Sequence, residues 1–342
     1  MELVSGNRLT ALAALSAGCR FFAGYPITPS SEIYRTMMEE LPRRGGLGLS
    51  APDEISALSM CVGASLAGFP AMTATSGPGF CLMVETLQYA VATETPVVVA
   101  FVQRLGPSTG GATQGAQGDV LLAEFCTSGG YTIPVFAPST AEECWTLTRR
   151  AFEWAERLRT PVVLLSDKEV GMTLEAVDVA ALYGNGALPR RPGFGAGRVV
   201  VTGSTHDRTG RLRKPNSEVV EILDGLQEKV EAAAGELALV DADLEDGAET
   251  LVLSYGVTAR AAREACLRAR SRGRRVSLAA VKTLFPLPDL PLDSCTRVVV
   301  AEENRGGLYA GVLEPRLGGR ELVRVNGVGA TIPPARIEEA IR

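Results

Sequence analysis

Hydrophobic residues along this chain alternate between two rhythms. Near-continuous apolar runs at 19–23, 71–75, 96–102, 132–136 and 160–165 have the length and content of buried parallel strands. Between them, apolar residues recur at helical spacing over 8–17, 31–41, 55–67, 80–92 and 140–158. Local signals fit these bounds. Asn7 can cap the first helix and Gly18 ends it. Ser30 or Ser31 can cap the second, Gly68 stops the third, and S-T-A-E-E at 139–143 resembles a capping box.

The stretch 51–79 carries the most information. Its helix is apolar on nearly every side, which predicts burial, yet Asp53 and Glu54 stand at its N-terminal edge. A buried carboxylate is costly unless something answers it, and a helix N-terminus answers only part of the charge.

This alternation predicts a doubly wound parallel sheet. The rhythm changes after Val170. A proline-, glycine- and arginine-rich stretch at 188–197 precedes a long polar helix at 215–234. Alternation then returns, with strands at 250–254, 276–281 and 297–301 and a helix at 258–272. We therefore expect an α/β unit at 1–175, a connector at 176–248 that packs over its neighbours, and a second, smaller α/β unit at 249–342.

Composition narrows the function. The chain has 342 residues, 46% of them apolar, enough for two sizeable cores. A net charge of −5 without long basic or acidic runs argues against nucleic acid or a membrane surface as the main partner. No apolar stretch reaches the roughly 20 residues of a spanning helix. The N-terminus lacks a signal peptide's basic start and apolar core. Seven dispersed cysteines, no two in a C-x-x-C pair, predict reduced thiols in a cytoplasmic protein and no zinc or iron–sulfur site on this chain. The one histidine, His206, sits in a polar turn, so a His-rich metal site is not expected and no metal is assigned to this chain.

Two loops follow expected strands at the end where open α/β sheets bind ligands. The first is G-Y-P-I-T-P-S-S-E at 24–32, stiffened by two prolines. The second, at 103–119, is rich in glycine and hydroxyls and has Arg104 at its start. The planar fork of Arg104 suits a carboxylate, although a surface ion pair is the plainer reading. Glu54 either steadies the first turn of its helix or bonds a cofactor's ring nitrogen. Ser76-Gly77-Pro78-Gly79 either binds phosphate through backbone amides or only makes a tight turn. Thr28 and Thr113 are loop hydroxyls, for which an ordinary loop role is the more common reading and a ligand role the alternative. There is no Walker or G-x-G-x-x-G pattern.

Taken together, several motifs resemble the α subunit of the 2-oxoacid:ferredoxin oxidoreductases, in the group with 2-oxoglutarate and branched-chain members. They are G-Y-P-I-T-P-S-S-E at 24–32, D-E-I at 53–55, A-M-T-A-T-S-G-P-G-F at 71–80, E-T-P-V-V at 94–98 and Q-R-L-G-P-S-T-G at 103–110. T-G-S-T-H-D-R-T-G at 202–210 and E-E-N-R-G-G-L at 302–308 extend the likeness along nearly the whole chain. The resemblance implies a pyrimidine-binding thiamine diphosphate domain followed by a transketolase C-terminal-like domain. It implies oxidative decarboxylation of a 2-oxoacid with coenzyme A, giving acyl-CoA, CO2 and reduced ferredoxin. The chain lacks a G-D-G…N-N diphosphate motif and cluster-binding cysteine spacings. The resemblance therefore assigns magnesium, diphosphate and iron–sulfur sites to a partner β subunit. A γ subunit or domain is associated with coenzyme A, and a ferredoxin-like δ subunit is a further candidate partner.

Residue by residue, the resemblance implies that Glu54 is the catalytic carboxyl on the pyrimidine ring, because Glu54 and Gly63 reproduce the family's nine-position spacing and Asp53 does not. Arg104, Thr113 and Thr28 fall where members contact the 2-oxoacid. Tyr25, Pro26, Ile27, Ser76 and Gly77 fall at cofactor-contacting positions. Departures are Pro52 for an acid, Gly111-Ala112 for Leu-Pro, Gln114 for Arg and Gly307 for Gln. The altered 111–114 loop bears on substrate identity. With 2-oxoglutarate as the first expectation, branched-chain, aryl and pyruvate-type acids remain alternatives, as does a non-catalytic scaffold subunit.

Overall fold

Parallel strands need crossovers, and helices supply them here. The computed structural model describes residues 1–183, 192–193, 196 and 200–341, so most of the 188–197 stretch lies outside the described residues. The strands are β1 (Glu2–Ser5), β2 (Phe21–Gly24), β3 (Leu47–Ser50), β4 (Ala71–Thr75), β5 (Val97–Gln103), β6 (Val135–Phe136) and β7 (Pro161–Asp167). They continue as β8 (Leu174–Val177), β9 (Val240–Asp243), β10 (Thr250–Ser254), β11 (Val276–Val281), β12 (Thr283–Phe285), β13 (Arg297–Glu302) and β14 (Glu321–Asn326). The helices used below are α1 (Gly6–Ser16), α2 (Ser31–Arg43), α3 (Glu54–Leu66), α4 (Gly77–Ala92), α5 (Val120–Glu124) and α6 (Ala141–Leu158).

The described strands form a seven-stranded sheet in the order β12-β6-β7-β5-β4-β2-β3 and a five-stranded sheet in the order β14-β13-β10-β11-β9. β1 and β8 make a separate antiparallel pair. The large sheet is parallel except where β12 meets β6, and the small one except where β9 meets β11. Every residue of β4, β5 and β7 is buried, as their unbroken apolar runs require of strands covered on both faces. One core lies on the α1/α2/α6 side of the large sheet. The other is continuous from Leu58, Phe80 and Val99 to Leu253, Val300 and Tyr309, so the two sheets share it. At its centre Phe80 of α4 stacks on Phe101 of β5, with ring centroids 4.3 Å apart, a contact that stiffens the base of α4.

Three local expectations are corrected. Ser5, not Asn7, caps α1, its hydroxyl accepting from the Arg8 N–H at 3.1 Å. Helix α4 begins at Gly77 rather than residue 80, because Pro78 needs no N–H partner in a first turn. Helix α3 is not buried all round. Glu54, Ala57, Leu58, Cys61, Val62 and Ser65 face inward, but Ile55 (49% exposed) and Met60 (37%) face out.

Candidate active site

In the large sheet, the chain passes from β2 outward to β3, then returns to β4 and continues to β5 on the other side. The crevice beyond the carboxyl ends of β2 and β4 is thus a topological switch point, where open sheets receive ligands. The 25–30 loop leaves β2, Glu54 follows β3, Ser76 and Gly77 follow β4, and Arg104 follows β5. Four of the sequence motifs therefore converge on one edge.

The proline loop is held by its carbonyls, since prolines have no N–H to offer. Ser30 Oγ donates to the Ile27 oxygen at 2.9 Å, Arg104 to the Thr28 oxygen at 2.6 Å, and Asn7 Nδ2 to the Pro29 oxygen at 2.9 Å. The Thr28–Pro29 bond is cis. Tyr25, Pro26 and Thr28 are exposed and Ile27 is partly buried. Asn7 is thus a functional-loop residue that sequence reasoning placed elsewhere; its tie to a chain segment distant in sequence left no local signal.

Asp53 and Glu54 have separate roles in the helix. Asp53 is the N-cap, accepting from the Ser56 N–H at 2.7 Å, and that bond holds its carboxyl below the usual range. Glu54 begins the helix proper and is 6% exposed. Among the described residues its carboxyl has no hydrogen-bond donor. It lies against Gly79 in the first turn of α4: a β-carbon there would collide with Glu54 Oε1 and Thr75 Oγ1, and would reach 2.7 Å from Glu54 Cγ. Gly79 is therefore a requirement of the site, not only of the turn.

Around the same helix start, buried polar atoms lack partners: Ser76 Oγ, Arg104 Nε and Asp119 Oδ2. Three of the chain's buried polar atoms without a partner thus gather at this helix start. Asp119, which sequence reasoning passed over as the end of a Gly-rich loop, hangs over Gly77. Burial pushes its carboxyl up to about 6, against the pull of the Arg104 N–H and charge. Its own N–H donates to Gln103 Oε1 at 3.1 Å, closing the loop at its neck.

Arg104 is 5% exposed. Its guanidinium donates to two neutral carbonyls, Thr28 at 2.6 Å and Thr109 at 2.9 Å, and forms no ion pair among the described residues. Thr113 stands exposed further along the loop, and the contact with Arg104 comes from Thr109 instead. The loop folds back on itself: Leu105 donates to the Gln114 carbonyl, and Gly111 to the Leu105 carbonyl, both at 2.9 Å.

The remaining motifs are structural. In E-E-N-R-G-G-L, Glu302 accepts from the Tyr309 and Ala310 N–H groups at 3.0 and 2.9 Å, and Asn304 Oδ1 from Gly307 and Leu308 at 3.1 Å. Together they cap the helix Leu308–Leu313. His206 lies in a turn with Nδ1 2.9 Å from the Ser204 carbonyl, and Asp207 accepts from the Thr209 N–H at 2.9 Å.

The sheet edge thus carries a buried acid without a hydrogen-bond donor and a buried guanidinium without an ion pair among the described residues. A family model described as "Pyruvate flavodoxin/ferredoxin oxidoreductase, thiamine diP-bdg" matches residues 12–198. The 2-oxoglutarate synthase subunit KorA of Methanothermobacter marburgensis is 38% identical, covering 96% of this chain and 95% of the relative. The same subunit of Methanocaldococcus jannaschii is 35% identical, covering 100% and 99%. Among solved structures, 2-oxoglutarate:ferredoxin oxidoreductase from Magnetococcus marinus, with 2-oxoglutarate, coenzyme A and succinyl-CoA bound, matches with a TM-score of 0.89 and 27% identity. That match covers 99% of this chain and 64% of the other, so this chain spans under two thirds of its length. The chain belongs to the pyruvate flavodoxin/ferredoxin oxidoreductase family.

Proposed function

We propose that this chain is the α subunit of a thiamine-diphosphate-dependent 2-oxoacid:ferredoxin oxidoreductase. It takes part in oxidative decarboxylation of a 2-oxoacid, 2-oxoglutarate first, with coenzyme A, yielding acyl-CoA, CO2 and reduced ferredoxin in the cytoplasm. The observation that carries the reading is the pair Glu54 and Arg104 at one sheet edge: a buried carboxyl with no donor and a buried guanidinium that forms no ion pair among the described residues. Each charge is costly as it stands and is answered by a ligand of opposite need.

Thiamine diphosphate, when bound, supplies the carbon that accepts the substrate's carbonyl group and serves as electron sink. This chain contributes the surroundings. Glu54 shares a proton with a ring nitrogen, in a setting dry enough to make that bond strong. Ser76 and Gly77 present the start of α4 to the cofactor, with Ser76 Oγ free to bond it. Tyr25, Pro26 and Ile27 wall the same crevice. Arg104 takes the 2-oxoacid carboxylate while its remaining N–H groups stay on the Thr28 and Thr109 carbonyls. Thr28 and Thr113 line the substrate's side. Magnesium, diphosphate and iron–sulfur clusters are held by a β partner, and a γ component completes the coenzyme A site. The outward face of α3, with Ile55 and Met60, is where we place the β partner.

One observation favours a second substrate reading. Residues 105–118 contain no lysine or arginine. A dicarboxylic acid needs a second cation at its far end, whereas a branched-chain acid does not.

Co-expression with the proposed partner subunits, followed by assay of a 2-oxoacid panel with coenzyme A and a low-potential acceptor, tests both readings. We expect acceptor reduction that requires thiamine diphosphate, coenzyme A and 2-oxoglutarate. Reduction with 3-methyl-2-oxobutanoate alone would select the second reading. A thiamine-loaded complex that reduces nothing with any 2-oxoacid would overturn both.

A further inference from the structure

Gln117 is fully buried, and every polar atom it owns is engaged. Its N–H donates to the Glu303 carbonyl at 2.7 Å. Its carbonyl accepts from Asn304 Nδ2 at 3.0 Å and from the Tyr255 hydroxyl at 3.2 Å. Side-chain Oε1 accepts from the Glu303 N–H and the Thr258 hydroxyl, both at 2.9 Å. Side-chain Nε2 donates to the Tyr255 carbonyl at 3.0 Å and Asp167 Oδ2 at 3.3 Å. The carboxamide has used both donors and both acceptor sites, the most it can make.

The location explains the density of bonds. Tyr255 and Glu303 follow β10 and β13, neighbours in the small sheet. From β10 the chain turns outward to β11 on one side, and from β13 to β14 on the other. Their shared carboxyl-end crevice is the small sheet's own switch point, the position where such sheets receive a ligand. Here Gln117, from the large sheet's substrate loop, fills it. Gly256, at φ +57°, leaves room for this: a β-carbon would strike Gln117 Nε2 and Asp167 Oδ2. Two residues further on, Asp119 holds the Arg104 N–H and bonds Gln103. The clamp is thus one short step from the backbone of Arg104.

We propose that Gln117 is a positioning residue. It occupies the small sheet's ligand crevice as a built-in ligand, and so fixes the 104–119 loop and the attitude of Arg104 toward the 2-oxoacid. This rests on the substrate reading of Arg104 given above. The small α/β unit then has a defined task, that of holding one wall of a site it does not line.

The test uses the assembled complex and two variants. Gln117→Ala removes the clamp. Gln117→Glu keeps its shape but turns an oxygen toward the Tyr255 carbonyl and Asp167, in a pocket that Glu303 also faces, with Glu169 (paired to Lys168 at 3.2 Å) nearby. Ionised, that variant repels its acceptors; protonated, it can donate again. We expect Gln117→Ala to raise KM for the 2-oxoacid roughly tenfold or more, about 1.4 kcal/mol, with KM for coenzyme A unchanged. Amide hydrogen exchange should quicken at Leu105, Gly111 and Gln114. For Gln117→Glu, the KM defect relative to the parent should shrink as pH falls from about 8 to about 6. Unchanged KM and unchanged exchange in an assembled Gln117→Ala complex would overturn the proposal, as would equal KM rises for both substrates. If Gln117→Ala does not assemble, a pH-independent KM defect in Gln117→Glu overturns it. Arg104→Ala is the control: if it too leaves KM unmoved, the substrate reading fails, and exchange alone then judges the clamp.

Discussion

Gly79→Ala is a sharp probe of the acid's placement, because the structure fixes what the added methyl meets. The new carbon would overlap Thr75 Oγ1 and Glu54 Oε1 and stand 2.7 Å from Glu54 Cγ, about 1 Å inside normal contact. Thr75 Oγ1 has to turn aside within its strand, and the whole Glu54 side chain, Cγ included, has to retreat by about that distance. Misplacement of a catalytic group by about 1 Å costs on the order of 10²-fold in rate. Stability should change little by comparison. Alanine gains up to about 1 kcal/mol over glycine in a helix, set against about 1–3 kcal/mol for overpacking, a net loss of about 0–3 kcal/mol. The assay is 2-oxoacid- and coenzyme A-dependent reduction of a viologen by the complex, beside a thermal melt. Turnover should fall on the order of 10²-fold while Tm moves a few degrees at most. The Gly79→Ala/Glu54→Gln double variant should be no worse than Glu54→Gln alone, since both act through one carboxyl. Near-parental turnover in Gly79→Ala, or additive losses in the double variant, would refute the placement of Glu54 as the catalytic acid.

Glu54→Gln itself should lower turnover by on the order of 10²-fold or more and leave subunit assembly intact by gel filtration; parental turnover would remove the acid from the mechanism. Arg104→Ala should raise KM for the 2-oxoacid by roughly 10–100-fold, a charge-assisted bond being worth about 1.5–3 kcal/mol, and Arg104→Lys should not restore it, because an ammonium cannot hold the Thr28 and Thr109 carbonyls and an anion in one plane. Stability should depend on pH in a set direction. Burial pushes Asp119 and Asp167 up to about 6 and Glu124 and Glu303 up to about 7. Each binds its proton more tightly in the folded chain, so its contribution is complete below about pH 4 and is lost as pH rises through about 6–7. Asp53, Asp207 and Glu236 are shifted down, so their contribution is complete above the ordinary carboxylate range and does not change between about pH 5.5 and 8. Tm measured at about pH 5.5 should therefore exceed that at about pH 8, and Glu124→Gln should flatten the difference; a Tm that rises across this range would contradict it.

The sequence made the central strands legible because burial on both faces leaves an unbroken apolar run, as in β4, β5 and β7. It hid the edges. β3, L-G-L-S, is half-exposed and carries too little pattern. β12 lies in T-L-F-P, which reads as the start of a proline loop, and only its antiparallel pairing to β6 makes it a strand. At the site, Glu54 and Arg104 could be singled out by position, since each follows a strand. Their surroundings could not. Asn7 lies 22 residues from its Pro29 partner, Arg104 lies 76 from Thr28, and Gln117 lies 186 from Glu303. Such pairings are set by the tertiary fold and leave no local trace. Gln117 in particular sits among glycines, where a loop reading is natural and a buried side chain is the last expectation.

The outer face of α3 and the acid at its mouth make one argument. A carboxyl that must share a proton with a ring nitrogen needs water kept away, and Glu54 is 6% exposed. Yet Ile55, the next residue, is 49% exposed, Met60 37%, and Leu82 on α4 49%. Each of these groups forgoes roughly half of the about 1.5–3 kcal/mol that full burial would give. A partner laid over this face would recover that energy and close the crevice in the same step. On the reading proposed above, Glu54 is already buried within this chain, and a partner over this face would shield the open side of the crevice that the acid faces. Replacing Ile55 and Met60 with Ser should leave the fold of the isolated chain unchanged by circular dichroism, weaken its hold on the partner, and lower activity only in proportion to the complex lost. A fully assembled double variant with parental activity would place the partner on another face.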